Sequence, residues 1–114
     1  MYKLEAIIRP EKLDDVKEAL AAAGLTGLNI VHVTGRGAQK GIVHMGRGGE
    51  TYTVDMLPKV KIEVVVKEAD ADRVVKLVCD AAHTGNIGDG KIFLIPVADA
   101  IRVRTGERGD AAVL

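Results

Sequence analysis

The sequence predicts a single α+β domain in which two β-α-β units share one antiparallel sheet. Strand and helix periodicities follow one another in the order strand, helix, strand, and this order occurs twice. The second unit, from Ile62 through Ile95, is a weak repeat of the first, from Ile7 through Val33. A β-α-β-β-α-β order is that of the ferredoxin-like fold. A chain of 114 residues has the length of one domain, so the prediction covers residues 1–114.

The first unit contains a strand, a helix and a second strand. Lys3 to Ile8 is predicted to be a strand that ends at Arg9-Pro10, where proline suits the first turn of a helix. Apolar residues recur at i, i+3 and i+4 from Glu11 to Ala23, which predicts an amphipathic helix. Alternation from Leu28 to Thr34 predicts the second strand.

The second unit repeats this order and adds an extended segment. Val60 to Val66 is predicted to be a strand, and Asp70 to Ala82 is predicted to be the second helix. Ile92 to Val97 closes the unit as a further strand. Ala100 to Arg104 is predicted to form an extra C-terminal strand.

Two helices on one face of the sheet leave its other face bare. The strand from Ile62 to Val66 is apolar almost throughout, which predicts that the bare face is apolar too. A bare apolar face needs a cover, and the simplest cover is another copy of the chain. We therefore expect an oligomer.

A long glycine-rich segment separates the two units. From Gly35 to Leu57 no periodicity is sustained, which predicts a loop of about twenty residues. Loops of this length in a compact domain are usually functional or disordered.

Composition excludes several classes of protein. Lys+Arg and Asp+Glu number 16 each and aromatic residues make up only 3% of the chain, so binding to a nucleic-acid backbone is disfavoured. One cysteine cannot form a disulfide within the chain, and no serine is present to act as a nucleophile. No apolar run is long enough for a membrane span, and the N-terminal residues do not resemble a signal peptide. We therefore expect a cytoplasmic protein.

The segment from Gly85 to Lys91 has the composition of a phosphate-binding loop. It satisfies the G-x-x-x-x-G-K part of the nucleotide-hydrolase motif, but Ile92 follows where a Ser or Thr would hold Mg²⁺. The segment also leads from a helix into a strand, which is the reverse of that motif. Closely approaching backbone N–H groups and Lys91 would still suit an anion, and a tight glycine turn with a surface lysine is an equal alternative.

Two arginines near the C-terminus favour the anion. On one strand, Arg102 and Arg104 would project from the same face, where an anion between them would relieve their repulsion. A solvated edge strand with two salt bridges is the alternative for this pair alone. Lys91 on a neighbouring strand shifts the balance towards a polyphosphate ligand.

Two side chains, one in the long loop and one just after its end, have less specific interpretations. Lys59 could pair with a small dicarboxylate or could be an exposed lysine at a strand end. Tyr52 could be modified or contact a partner, or it could be a partly packed loop side chain.

Taken together, these motifs closely resemble the PII-type nitrogen-regulatory signal-transduction proteins. The resemblance extends from Met1 to about Ala112 and is carried by five segments: Ala6 to Leu20, Gly35 to Gly41, Val54 to Glu63, Thr84 to Phe93, and Ile101 to Glu107. It implies a homotrimer of ferredoxin-like subunits that binds ATP or ADP in the clefts between subunits. It implies a sensor and adaptor rather than an enzyme.

The resemblance also implies ligand contacts. Those implied for the nucleotide are Gly35, Gly37, Gln39, Thr84, Gly88, Asp89, Gly90, Lys91, Arg102 and Arg104. With Mg²⁺-ATP bound, the family binds 2-oxoglutarate, for which Gln39 would ligate the metal. The acid would be held by Gln39, Lys40, Gly41 and Lys59.

The long loop corresponds to the family's T-loop, here about residues 36–57, which docks on targets. Those targets include ammonium channels, enzymes of nitrogen metabolism and their regulators. Contact with a membrane is implied only through a channel partner, which Arg47 at the loop tip would enter. Tyr52 is a candidate for modification, although one residue is inserted before it. Ala38 replaces a phosphate-contacting arginine of many members, and Gly46 replaces a common tyrosine.

Three other functions are weighed against this one. A nucleotide-hydrolysing enzyme would need a water-activating group near Lys91, and the sequence offers no strong candidate. A PII-like sensor of another small molecule is disfavoured because Gln39 and Lys59 are present. A trimeric interaction module with vestigial pockets is the third.

Overall fold

A computed structural model of the protein describes residues 1–36, 42–49, 51–54 and 56–113; for 42–45 and 51–54 the description is of the backbone. The strands are β1 (Tyr2–Ile8), β2 (Asn29–Gly35), β3 (Ile42–Met45), β4 (Thr51–Val54), β5 (Leu57–Val66) and β6 (Gly90–Pro96). The helices are α1 (Leu13–Ala22) and α2 (Ala71–Ala82), with short 3-10 turns at Pro10–Lys12, Glu68–Asp70 and Gly109–Ala112.

Four strands form one antiparallel sheet in the order β2-β5-β1-β6. Leu4 in the central strand β1 lies opposite Val64 on one side and Leu94 on the other. Ile30 of β2 lies opposite Ile62. This order and the two helices confirm the predicted α+β, ferredoxin-like fold.

An aliphatic core fills the space between the sheet and the helices. Each helix buries one apolar stripe, and alternate residues of β1 and β5 meet these stripes because successive strand side chains point to opposite faces. The fully buried larger side chains are Leu4, Val16, Leu20, Val60, Ile62, Val66, Val74 and Val78.

The open face of the sheet is less apolar than the sequence predicts. Ile62, Val64 and Val66 are buried beneath the helices, so only alternate residues of that strand reach the other face. There Lys3 pairs with Glu5 at 2.8 Å and with Glu63 at 2.6 Å. The prediction of an apolar face therefore holds only in part, because period-two alternation assigns half of the strand to the core.

Apolar side chains do lie around this charged cluster. Val31, opposite Lys61, is 39% exposed, and Phe93, opposite Glu5, is 46% exposed. Ile95, opposite Lys3, is 40% exposed. Two of these three side chains lie on β6, at one edge of the sheet.

The predicted loop from Gly35 to Leu57 contains regular structure. Strands β3 and β4 pair as an antiparallel hairpin, in which Ile42 lies opposite Val54. At the turn, the Gly49 N–H donates to the Gly46 carbonyl at 3.1 Å. The sequence does not predict this hairpin within the loop, because each strand has only four residues, too few for a periodicity to stand out.

The predicted extra strand from Ala100 to Arg104 is also wrong. The chain reverses at Gly106, where φ is +74°, so that the Arg102 N–H donates to the Glu107 carbonyl at 2.9 Å. Asp99 closes the base of this turn by accepting the N–H groups of Ala100 and Gly109. We call residues 99–109 the C-terminal hairpin. Its two arms meet at a single bridge between Ile101 and Arg108 rather than joining the sheet.

Candidate functional site

A cavity of about 510 Å³ lies where β1, β2, β5 and β6 meet the loop after α2. Six of the residues predicted for ligand binding line it: Gly35, Lys59, Gly88, Asp89, Gly90 and Lys91. Ile7, Arg36, Leu57, Asn86 and Phe93 complete the wall. We call this the loop cavity. The structure thus brings together residues more than fifty positions apart in the sequence.

The loop from Thr84 to Asp89 bends where glycine permits it. Gly85, Gly88 and Gly90 have φ values of +91°, +103° and +111°, which other residues rarely adopt. Gly90 also lies against β1, since a Cβ there would be 1.8 Å from the carbonyl oxygen of Ile7. Only glycine allows the loop to enter β6 beside β1.

Asp89 holds the loop together through its carboxylate. One oxygen, Oδ2, accepts the N–H groups of Thr84 at 2.8 Å and Gly85 at 2.9 Å. The other, Oδ1, accepts the Thr84 hydroxyl and the Arg9 guanidinium. These donors, the Thr84 hydroxyl above all, hold the pKa of Asp89 well below its usual range. Both carboxylate oxygens of Asp89 are therefore used in holding the loop in place.

Arg9 is a site residue that the sequence does not predict. Its Nε donates to Asp89 Oδ1 at 3.1 Å and its Nη2 donates to the Ile87 carbonyl at 2.8 Å. The side chain is only 13% exposed. Arg9 thus ties the end of β1 to a loop about eighty residues later. The only signal in the sequence is a cation directly after a buried strand.

Lys59 of β5 also lines the loop cavity. Its ammonium donates to the Gly88 carbonyl at 2.8 Å. Partial burial, followed by the nearby charge of Arg9, lowers the pKa of Lys59 from its ordinary value. A partly buried ammonium such as that of Lys59 would be stabilised by an anionic ligand beside it.

The described lining of the loop cavity has cationic character. Arg36, Lys59 and Lys91 contribute positive charge, while the carboxylate of Asp89 is satisfied by its own loop. Backbone N–H groups of a glycine-rich turn add further partial positive charge. The arrangement is suited to binding a small anion beside an apolar wall formed by Ile7, Leu57 and Phe93.

Arg102 and Arg104 lie elsewhere in the chain. Neither lines the loop cavity with Lys91, and neither belongs to a strand. Arg102 instead pairs with Glu107 at 2.8 Å within the C-terminal hairpin. The prediction of a strand neighbouring Lys91 is therefore wrong, because this segment turns back on itself at Gly106 instead of pairing with the sheet.

The remaining predicted residues divide into two groups. Arg47 is exposed in the β3–β4 turn, and Thr84 holds the loop through Asp89 rather than lining the cavity. Gly37, Gln39, Lys40 and Gly41, together with the side chain of Tyr52, lie outside the described residues. Among the described residues, no cluster of three His, Cys, Asp or Glu side chains could hold a metal ion.

Comparison with known proteins identifies the family. The family model described as nitrogen regulatory protein P-II matches residues 1–107. The chain belongs to the nitrogen regulatory protein P-II family. Similar P-II proteins are named as regulatory proteins, which supports a regulatory rather than an enzymatic role. None of the helices described for this P-II chain is long and apolar enough to cross a membrane.

Full-length relatives support the assignment. The P-II protein of Azospirillum brasilense is 52% identical over 113 residues, covering 99% of this chain and 100% of that protein. P-II 1 of Escherichia coli (strain K12) is 55% identical with the same coverage. The crystal structure of Arabidopsis thaliana PII bound to citrate aligns with a TM-score of 0.79 and 40% identity, covering 98% of this chain and 88% of that one.

Proposed function

We propose that this P-II protein senses ATP or ADP together with 2-oxoglutarate, in clefts between the subunits of a homotrimer, and controls its targets through the T-loop. The observation that carries the proposal is the loop cavity. It combines a glycine-rich turn, a partly buried lysine and further cations beside an apolar wall.

The phosphates are assigned to the loop side of this cavity. Gly88 and Gly90 let the backbone approach an oxyanion closely, and Lys91 adds a charge. Asp89 contributes through its backbone N–H, because its carboxylate already accepts four donors. Gly35, the last residue of β2, also lines the cavity at the base of the T-loop.

The second half of each cleft comes from another subunit. Arg102 and Arg104 do not reach the loop cavity of their own chain, so in this proposal they contact the nucleotide of a neighbouring copy. Exposed Phe93 and Ile95 on β6 give the copies an apolar surface next to the cavity. Burial of such a surface between copies would stabilise the trimer.

2-Oxoglutarate is assigned to the part of the cavity near Lys59. The ammonium of Lys59 would pair with a carboxylate, while Gln39, Lys40 and Gly41 would complete the site, Gln39 as the ligand of Mg²⁺ bound with ATP. The Arabidopsis protein was crystallised with citrate, which is also a small polycarboxylate. Thr84 serves the nucleotide indirectly, by holding Asp89.

Ligand binding would control which partners the T-loop selects. The β3–β4 hairpin presents Arg47 in an exposed turn, where an ammonium channel, a nitrogen-metabolism enzyme or a regulator could contact it. If ATP and 2-oxoglutarate each prefer one loop state, binding of either shifts the population of that state, and each tightens the other. The proposal includes a cytoplasmic location, with membrane contact only through a channel partner, and Tyr52 as a candidate for modification.

Calorimetric titration with 2-oxoglutarate tests this function. We expect binding in the presence of Mg²⁺-ATP and much weaker binding without it. Lys59→Met should weaken binding by about tenfold or more, because it removes the partly buried ammonium that would pair with a carboxylate of 2-oxoglutarate. Lys17→Met, at an exposed position on α1, removes the same charge and should leave binding unchanged.

Two outcomes would contradict the proposal. Equal affinity with and without Mg²⁺-ATP would refute the coupling, and no response to 2-oxoglutarate would favour a PII-like sensor of another small molecule. Release of phosphate from ATP at a rate that Lys91→Gln abolishes would favour the enzyme instead.

A further inference from the structure

We propose that Glu107 is a positioning residue that holds the guanidinium of Arg102 ready for the phosphates of a nucleotide bound by a neighbouring subunit. This inference rests on the proposed function, in which Arg102 contacts that nucleotide. It concerns a carboxylate to which the resemblance assigns no role.

Both terminal nitrogens of the Arg102 guanidinium donate hydrogen bonds within the same chain. Its Nη1 donates to Glu107 Oε1 at 2.8 Å, and its Nη2 donates to the Ala111 carbonyl at 2.9 Å. The side chain is 30% exposed, compared with 71% for Arg108 in the same hairpin. Two separate contacts fix the plane of the guanidinium group, which a single ion pair would not do.

Glu107 is itself held in place. The Thr105 hydroxyl donates to the same oxygen, Glu107 Oε1, at 2.9 Å, and the Glu107 N–H donates to Thr105 Oγ1 at 3.2 Å. The backbone of Arg102 bonds to both Gly106 and Glu107 across the turn, at 2.7 Å and 2.9 Å. The C-terminal hairpin therefore brings the carboxylate opposite Arg102 and keeps it there.

A held arginine binds an anion at a lower entropic cost. A long side chain that is free in the unbound protein must give up its rotamers when it binds, whereas one that is already fixed does not. Loss of Glu107 should therefore weaken binding of the phosphates. If Glu107 competed with the phosphates for Arg102 instead, its loss would strengthen binding, so the sign of the effect separates the two roles.

Calorimetry on matched variants tests the inference. We expect Glu107→Ala to raise the Kd for ATP roughly three- to tenfold. Glu107→Gln, which keeps an acceptor oxygen, should have a smaller effect, as should Thr105→Val, which releases the Glu107 carboxylate. Asp110→Asn removes a negative charge from an exposed position just after the C-terminal hairpin and should leave the Kd unchanged. The affinity for adenosine, which has no phosphates, should not change in any variant.

A double-mutant cycle shows whether Glu107 acts through Arg102. In the Arg102→Gln background, Glu107→Ala should have no further effect on the Kd for ATP. The inference would be overturned if Glu107→Ala weakened ATP binding equally in the Arg102→Gln background. It would also be overturned if Glu107→Ala alone left the Kd for ATP unchanged or lowered it. Each of these results would leave the proposed function intact. Failure of the wild-type protein to bind ATP would overturn both. If Glu107→Ala does not fold, Glu107→Gln and Thr105→Val provide the same comparison.

Discussion

Gly90→Ala is expected to destabilise the protein by about 3 kcal/mol or more. The new Cβ would lie 1.8 Å from the carbonyl oxygen of Ile7, and φ at this position is +111°. Because the obstacle is the backbone of the central strand β1, no side-chain rotation can relieve the clash. The pairing of β1 with β6 must shift, and the loop cavity changes shape with it. Urea unfolding followed by circular dichroism measures the loss.

Gly24→Ala is the matched control for this substitution. Gly24 also has a positive φ, +85°, but a Cβ there would meet nothing within 4 Å. It should therefore cost only the backbone strain, about 1–2 kcal/mol. Equal unfolding midpoints for the two variants would show that the close approach of Gly90 to β1 is not a constraint on the fold.

Asp89→Asn is expected to loosen the loop and to weaken ATP binding about tenfold. Asparagine has one acceptor oxygen where the carboxylate has two. It therefore cannot accept hydrogen bonds from the Thr84 and Gly85 N–H groups and from the Arg9 guanidinium at the same time. Calorimetry with ATP measures this effect. Asp72→Asn, at an exposed position on α2, is the control and should bind ATP normally.

The same variant changes how stability depends on pH. The folded-state pKa of Asp89 is lowered from its ordinary value of 3.8, mainly by the Thr84 hydroxyl, so its ionised form is favoured by folding. The stabilisation is present above the ordinary pKa and is lost as the pH falls through the folded-state pKa. Wild-type protein should therefore lose more stability than Asp89→Asn below about pH 4. Identical acid unfolding curves would contradict this role.

Local sequence patterns are sufficient to predict the elements of the main sheet and both helices. Apolar spacing identifies α1 and α2, because each buries a single stripe against the sheet. The glycines and lysine from Gly88 to Lys91 identify one wall of the loop cavity, because backbone freedom and charge are properties of the residues themselves.

The features that the sequence missed depend on contacts between distant residues. Arg9 becomes a site residue only because β1 lies beside the loop that holds Asp89. Arg102 and Arg104 alternate as strand residues do, but their own segment turns back at Gly106 and pairs with Glu107. A pattern of alternate residues does not show whether the hydrogen-bonding partner is a strand or the next few residues of the chain.

Native mass spectrometry of the protein with ATP tests the central claim most directly, because it reports the assembly and its ligands together. We predict a species of three times the 12.1 kDa chain mass that carries up to three ATP molecules, with ATP largely lost in Lys91→Gln. A monomer, or a trimer that carries no more ATP than the Lys91→Gln protein does, would contradict an anion-binding cleft shared between subunits.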